Sequence, residues 1–208
     1  MSGTLSLTTE LDAVNQMLDV IGEAPVATLN DTGLVDAAMA RDLLRRVSRQ
    51  VQSLGWHWNT DEAFPLAPEN PLPGVIKTPT NALRVEPDDV RVDAVVRNGR
   101  LWNRDTHSFL WEAEVPCRIV WFFNMEELPE AARDYITIRA CRMFQDRRLG
   151  SETRNGFNER DEAMAKVTLE SAESQTRNFS LADSHGVSRI LNPWAPQGGG
   201  WLFPRRTK

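Results

Sequence analysis

A chain of 208 residues with 41% hydrophobic and 25% charged residues has the composition of a soluble globular protein with a sizeable core, which excludes global disorder. No apolar run approaches the roughly 20 residues that span a bilayer, and Met1-Ser2-Gly3-Thr4 lacks the basic and apolar regions of a signal peptide, so no membrane partner and a cytoplasmic site of synthesis are expected. The net charge of −5 is unevenly spread: −3 over residues 1–55, −5 over 56–128, 0 over 129–177 and +3 over 178–208, which argues against a general nucleic-acid binder, since that needs a basic face to displace counterions from phosphates.

The stretch Thr9-Glu10-Leu11-Asp12 supplies a capping-box-like start for a first helix over roughly residues 9–22. Leu11, Val14, Leu18 and Ile21 repeat at helical spacing, Gly22 is placed as the stop, and Pro25 prevents continuation. A second helix is expected to start at Asp31 or Thr32. Its Ala37, Ala40, Leu44, Val47, Val51 and Leu54 form one narrow apolar seam suited to a neighbouring helix of the same chain or of another copy. Leu44, Val47, Val51 and Leu54 are the candidate packing residues, with Arg41, Arg45, Arg46 and Arg49 on the flanks.

From Gly55-Trp56-His57-Trp58 the pattern changes. Prolines at 65, 68, 71, 73, 79 and 87 rule out a helix across most of the next stretch and leave extended pieces at 62–64 and 83–85. Asn98-Gly99, between Arg91–Arg97 and Arg100–Trp102, is a strong hairpin signal because both turn residues must accept positive φ. Further strands are expected at Phe109–Val115 and Arg118–Phe123, separated by Pro116-Cys117. Residues 56–125 thus read as a small β-rich unit carrying Trp56, Trp58, Trp102, Trp111 and Trp121 as its core. Cys117 and Cys141 have no CxxC spacing and read as two buried thiols.

Helical pattern returns at Leu128-Pro129-Glu130, with Pro129 suited to the first helical position and Glu130 to the positive end of the dipole. Tyr135, Ile136, Ile138, Ala140, Met143 and Phe144 give a wide apolar face that stops at Gly150. A fourth helix is expected from near Gly156 to near Arg177, with Phe157, Met164, Val167 and Ala172 inward. The end, 178–208, is basic and rich in Pro and Gly, with no element expected. Trp194, Trp201 and Phe203 have too few neighbours there for self-burial, so a partner surface is expected, with Arg189, Arg205 and Arg206 pairing at its rim. The fold class is therefore α+β, mainly a four-helix bundle (1–55 and 126–177) with a β-rich insertion (56–125) between the second and third helices and an extended C-terminal tail (178–208).

No catalytic, cofactor or metal constellation emerges. His57, His107 and His185 sit in no HExxH or CxxC-like frame, no GxSxG elbow occurs, and Gly198-Gly199-Gly200 lacks the Lys of a phosphate loop. Glu126-Glu127 and Asp88-Asp89 read as loop or cap positions, because sequence neighbours point apart. Arg147-Arg148, near the end of the third helix, suits either the helix dipole or an interface.

The stretches AVNQMLDVIGEAPVATL (13–29), the Asp31-Thr32-Gly33 link, GWHWNT (55–60) and ELPEAARDYITIRACRMFQ (127–145) resemble tail tubular protein A, the head-to-tail adaptor of short-tailed bacteriophages. That resemblance implies a dodecameric ring beneath the portal, with helices forming the wall and double-stranded DNA passing through without sequence-specific binding. It further implies the β insertion facing outward where tail fibres dock, the C-terminal segment embracing the portal, and the nozzle (tail tubular protein B) attaching below. The expected location is the virion tail, assembled in the host cytoplasm, with no enzymatic activity. The competing expectation is a tail-associated hydrolase of bacterial surface polysaccharide, which would need paired Asp or Glu in a cleft of the β unit.

Overall fold

The computed structural model describes residues 7–30, 34–149 and 152–176. In chain order it runs α1 (Glu10–Ile21), α2 (Val35–Gln52), β1 (Thr60–Leu66), β2 (Gly74–Val75), β3 (Ala82–Pro87), β4 (Ala94–Arg97), β5 (Arg100–Asn103), β6 (Leu110–Trp111), β7 (Val115–Trp121), α3 (Glu130–Leu149) and α4 (Glu152–Thr176). The class is α+β, four helices and antiparallel sheets, and all seven strands fall between α2 and α3. The expected tail at 178–208 lies outside the described residues, as do Asp31 and Thr32.

Local rules account for α1. The Thr9 hydroxyl accepts from the Asp12 amide at 3.1 Å, the Asp12 carboxylate accepts from the Thr9 amide at 3.0 Å, and Gly22 closes the helix at φ 83°. The first helix of the sequence reading is therefore the observed one.

The helices share one hydrophobic core, built from Val14, Met17 and Leu18 of α1, Leu43, Leu44, Val47 and Val51 of α2, Ile136, Ala140 and Phe144 of α3, and Leu169 of α4. α1, α2 and α3 each pack against the other two, whereas α4 lies along α3 and a 3-10 turn at His57–Asn59. Because α2 meets two helices, its buried face is broader than the narrow seam expected: Leu43, Ser48 and Gln52 are buried with Leu44, Val47 and Val51. Leu54 lies beyond the helix end and is 63% exposed, so it does not belong to that face.

A second core fills the β region: Leu66, Ile76, Val85, Leu101, Trp111, Val115, Cys117 and Ile119. Its main sheet is ordered β1-β7-β3 with β7 central, and β2–β6 and β4–β5 form two-stranded antiparallel ladders. The β4–β5 hairpin turns on Asn98 (φ 50°) and Gly99 (φ 67°), as the Asn-Gly signal implies.

Four expectations are corrected. β7 runs through Pro116-Cys117 instead of breaking there: Pro116 lies second in the strand opposite Pro65, at the end of the ladder, and its carbonyl still accepts from the Asp88 amide at 3.0 Å. Pro129 precedes the first turn of α3 instead of opening it. α4 begins earlier than expected, and its Met164 and Val167 point outward at 63% and 64% exposure, while Ala165 and Leu169 face the core. The side chain of Phe157 lies outside the described residues. Finally, Trp56 and Trp58 pack on the helical core, leaving Trp111 buried and Trp121 half-buried in the β core.

Candidate assembly surfaces

The helical and β regions are joined by two adjacent chain crossings, and buried polar side chains hold them together. The Gln52 side chain donates to the Phe123 carbonyl at 2.9 Å and accepts from the Phe123 amide at 2.8 Å, so it behaves as an added piece of β backbone. The Asn59 side chain donates to the carbonyls of Gln52 (2.9 Å) and Trp121 (2.8 Å) and accepts from the Trp56 amide (2.8 Å). Gly55 passes through the same crossing at φ 77°, and a Cβ there would stand 3.2 Å from the Val120 side chain. These contacts fix where the β unit leaves the helices.

A second anchor sits at the start of α3. Arg133, 4% exposed, donates to the carbonyls of Leu128 (2.8 Å), Thr8 (2.8 Å) and Glu126 (2.5 Å), tying the residues before α1 to the turn that precedes α3. Glu10, at the first turn of α1, accepts from Arg41 (3.2 Å) and Arg45 (3.0 Å) of α2. Burial raises the Glu10 pKa, but the hydrogen bond from Arg41 and the charges of both arginines outweigh it, and the net shift is downward. On α4, Glu162 binds Arg139 at 2.7 Å and Arg142 at 2.5 Å, so this helix is held to α3 by ion pairs as well as by Leu169.

Solvent-exposed surfaces stand out among the described residues. Outward positions Val35, Met39, Asp42, Arg46 and Arg49 of α2 fall at steps of four, three, four and three residues and make one stripe. Val35 is 70% exposed and Met39 is 47% exposed. A groove of about 490 Å³ runs between α1, α3 and α4, lined by Val20, Ala131, Asp134, Ile138, Asp161 and Met164 among others. A second cleft of about 390 Å³, beside α2, is bounded by Glu10, Arg45, Arg49, Phe122 and Met125.

Of the sequence-designated residues, Leu44, Val47 and Val51 come together in the helical core, and Leu54 stands apart at the surface. Arg189, Trp194, Trp201, Phe203, Arg205 and Arg206 lie outside the described residues. The carboxylate pairs have local roles: Asp89 binds Arg91 at 2.7 Å, and Glu127 accepts from the Asn124 amide at 2.8 Å. Arg147 is exposed, and the side chain of Arg148 lies outside the described residues. Burial, with Asp88 nearby, raises the Cys117 pKa to about 11; burial, with Asp19 nearby, raises that of Cys141 to about 12. Both thiols are thus held in the protonated form at neutral pH, and of the two expected to be buried Cys117 is, while Cys141 is half-buried. Among the described residues no group of three or more His, Cys, Asp or Glu is placed to hold a metal ion, and no helix is long and apolar enough to cross a membrane. Sequence reasoning missed Gln52, Asn59 and Arg133. For Gln52 and Arg133 the available signal was a polar residue on the buried side of a helix; Asn59 stands in a 3-10 turn and carries no such pattern.

A family model described as tail tubular protein matches residues 11–179, and the chain belongs to that family. It is similar to tail tubular protein A of Klebsiella phage KP34, with 33% identity over 129 residues, covering 61% of this chain and 66% of the relative. The protein is accordingly a structural component of a phage tail.

Proposed function

We propose that this chain is the tail adaptor: a closed ring of identical subunits, twelve in number, that joins the portal of the capsid to the nozzle and tail fibres and lines part of the channel for genome ejection. The observation that carries this reading is the separation of its uncovered faces. The outward stripe belongs to α2, whereas the groove is lined by residues of α1, α3 and α4 and by none of α2, so one subunit has two distinct surfaces for two neighbours, as a head-to-tail ring requires. On this reading the helices form a wall bundle spanning 1–55 and 126–177, the β unit at 56–125 is the outward fibre-docking part, and 178–208 is the portal-docking arm. Double-stranded DNA passes without sequence-specific contact, and assembly takes place in the host cytoplasm before incorporation into the virion.

Family membership and the structural hydrogen bonds of Asp89, Glu126 and Glu127 favour this over a polysaccharide hydrolase. Co-sedimentation with purified portal tests it. The intact chain should bind, and a chain ending at Arg177 should keep the helical fold but lose stable attachment; failure of the intact chain to bind any portal would reject the adaptor reading.

A further inference from the structure

Resting on the ring reading, we infer that neighbouring subunits meet head to tail, with the outward stripe of α2 from one copy seated in the α1/α3/α4 groove of the next. The two surfaces match in both apolarity and charge. On the α2 side, Val35 and Met39 provide an exposed apolar end, and Arg46 follows one turn beyond Asp42. Arg46 has no ion partner among the described residues, although the neighbouring Arg41 and Arg45 are both held by Glu10. On the groove side, Val20, Ile138 and Met164 offer apolar contact, with Met164 63% exposed. Asp134 and Asp161 line the same groove without an ion pair among the described residues, whereas its one lining cation, Arg142, is already neutralised by Glu162 and Asp146.

The groove is therefore apolar and acidic, and the stripe is apolar and basic. Two copies of the groove would set Asp134 and Asp161 against like charges, whereas the stripe in the groove brings Arg46 and Arg49 to them and apolar side chains to apolar side chains, so the matched contact is heterologous. A heterologous contact repeats, and it closes into a ring when the rotation between neighbours permits. The occupant of the groove is thus a second copy of this chain.

Charge reversal on the full chain tests the contact, with assembly followed by sedimentation velocity and folding by circular dichroism. Arg46→Glu should leave the folded spectrum unchanged and raise the concentration needed for assembly by about tenfold or more. Adding Asp134→Arg or Asp161→Arg to that variant should bring the value back to within about threefold of the parent, because only a direct pairing is repaired by the opposite swap. If Arg46→Glu assembles like the parent, or if neither second change restores assembly, the proposed contact is wrong while the ring reading stands. A parent chain that stays monomeric at every concentration would overturn both.

Discussion

Gln52 and Phe123 make both hydrogen bonds of a peptide pair, one partner being a side chain from the last turn of α2 and the other the backbone just after β7. Gln52 is fully buried and also donates to Ser48 Oγ at 2.9 Å. Gln52→Ala leaves the half-buried amide and carbonyl of Phe123 without this partner and should lower stability by about 1–3 kcal/mol. Urea unfolding should show a reduced midpoint with an unchanged slope. A loss below about 0.5 kcal/mol would mean that the crossing is held by packing alone.

Arg133 is a cation used as a backbone staple. Its three carbonyl partners come from Thr8, Glu126 and Leu128, and only a planar fork of donors reaches all of them. Arg133→Met should cost about 2–4 kcal/mol, and Arg133→Lys less, but still more than about 1 kcal/mol, because one ammonium replaces only part of the fork. Equal stability of the Lys variant and the parent in denaturant titrations would contradict the fork geometry.

Glu10 makes stability depend on acid. Its folded pKa lies below the ordinary value of 4.5, so the stabilisation from Arg41 and Arg45 is complete above that value and is lost as the pH falls through the folded pKa. Between about pH 5 and pH 3 the parent should therefore lose more stability than Glu10→Gln, which has no proton to take up at that site. Parallel pH profiles for the two proteins would show that the pairing contributes nothing to folding.

Leu44 and Leu54 separate folding from surface. Leu44 is 2% exposed in the helical core and Leu54 is 63% exposed past the end of α2. Leu44→Asp, like Val51→Asp, places an unpaired charge in the core and should cost at least several kcal/mol, enough to unfold the helices. Leu54→Asp should change stability by no more than about 0.5 kcal/mol. Comparable melting of Leu44→Asp and the parent would remove Leu44 from the core.

How much of this was legible depended on whether a rule was local. The α1 boundaries were readable because Thr9, Asp12 and Gly22 act within one helix, and the β4–β5 hairpin because Asn98-Gly99 encodes its own turn. The phase of α4 was not. Met164 and Val167 face outward, and the helix is fixed by Leu169 and by Glu162 bound to two arginines of α3, a pairing between residues 20 and 23 positions apart. The polar anchors were hidden for the same reason: Gln52 finds Phe123 71 residues away, and Arg133 finds Thr8 at a separation of 125. The packing residues of α2 were half legible, since the apolar spacing picked out Leu44, Val47 and Val51 but carried the pattern past the last turn to Leu54. The family resemblance, carried by residues 13–29, 55–60 and 127–145, agrees with the matched range 11–179.

The central claim is that this tail protein works as a closed ring, and the mass of the native particle in solution tests it most directly. Native mass spectrometry of the purified full chain should give one dominant species at a fixed multiple of the 23.5 kDa subunit, twelve on the adaptor reading, and that species should appear as rings of one size in electron micrographs. A protein that remains a monomer at all concentrations, both alone and with portal, or that forms open filaments of variable length, would contradict it.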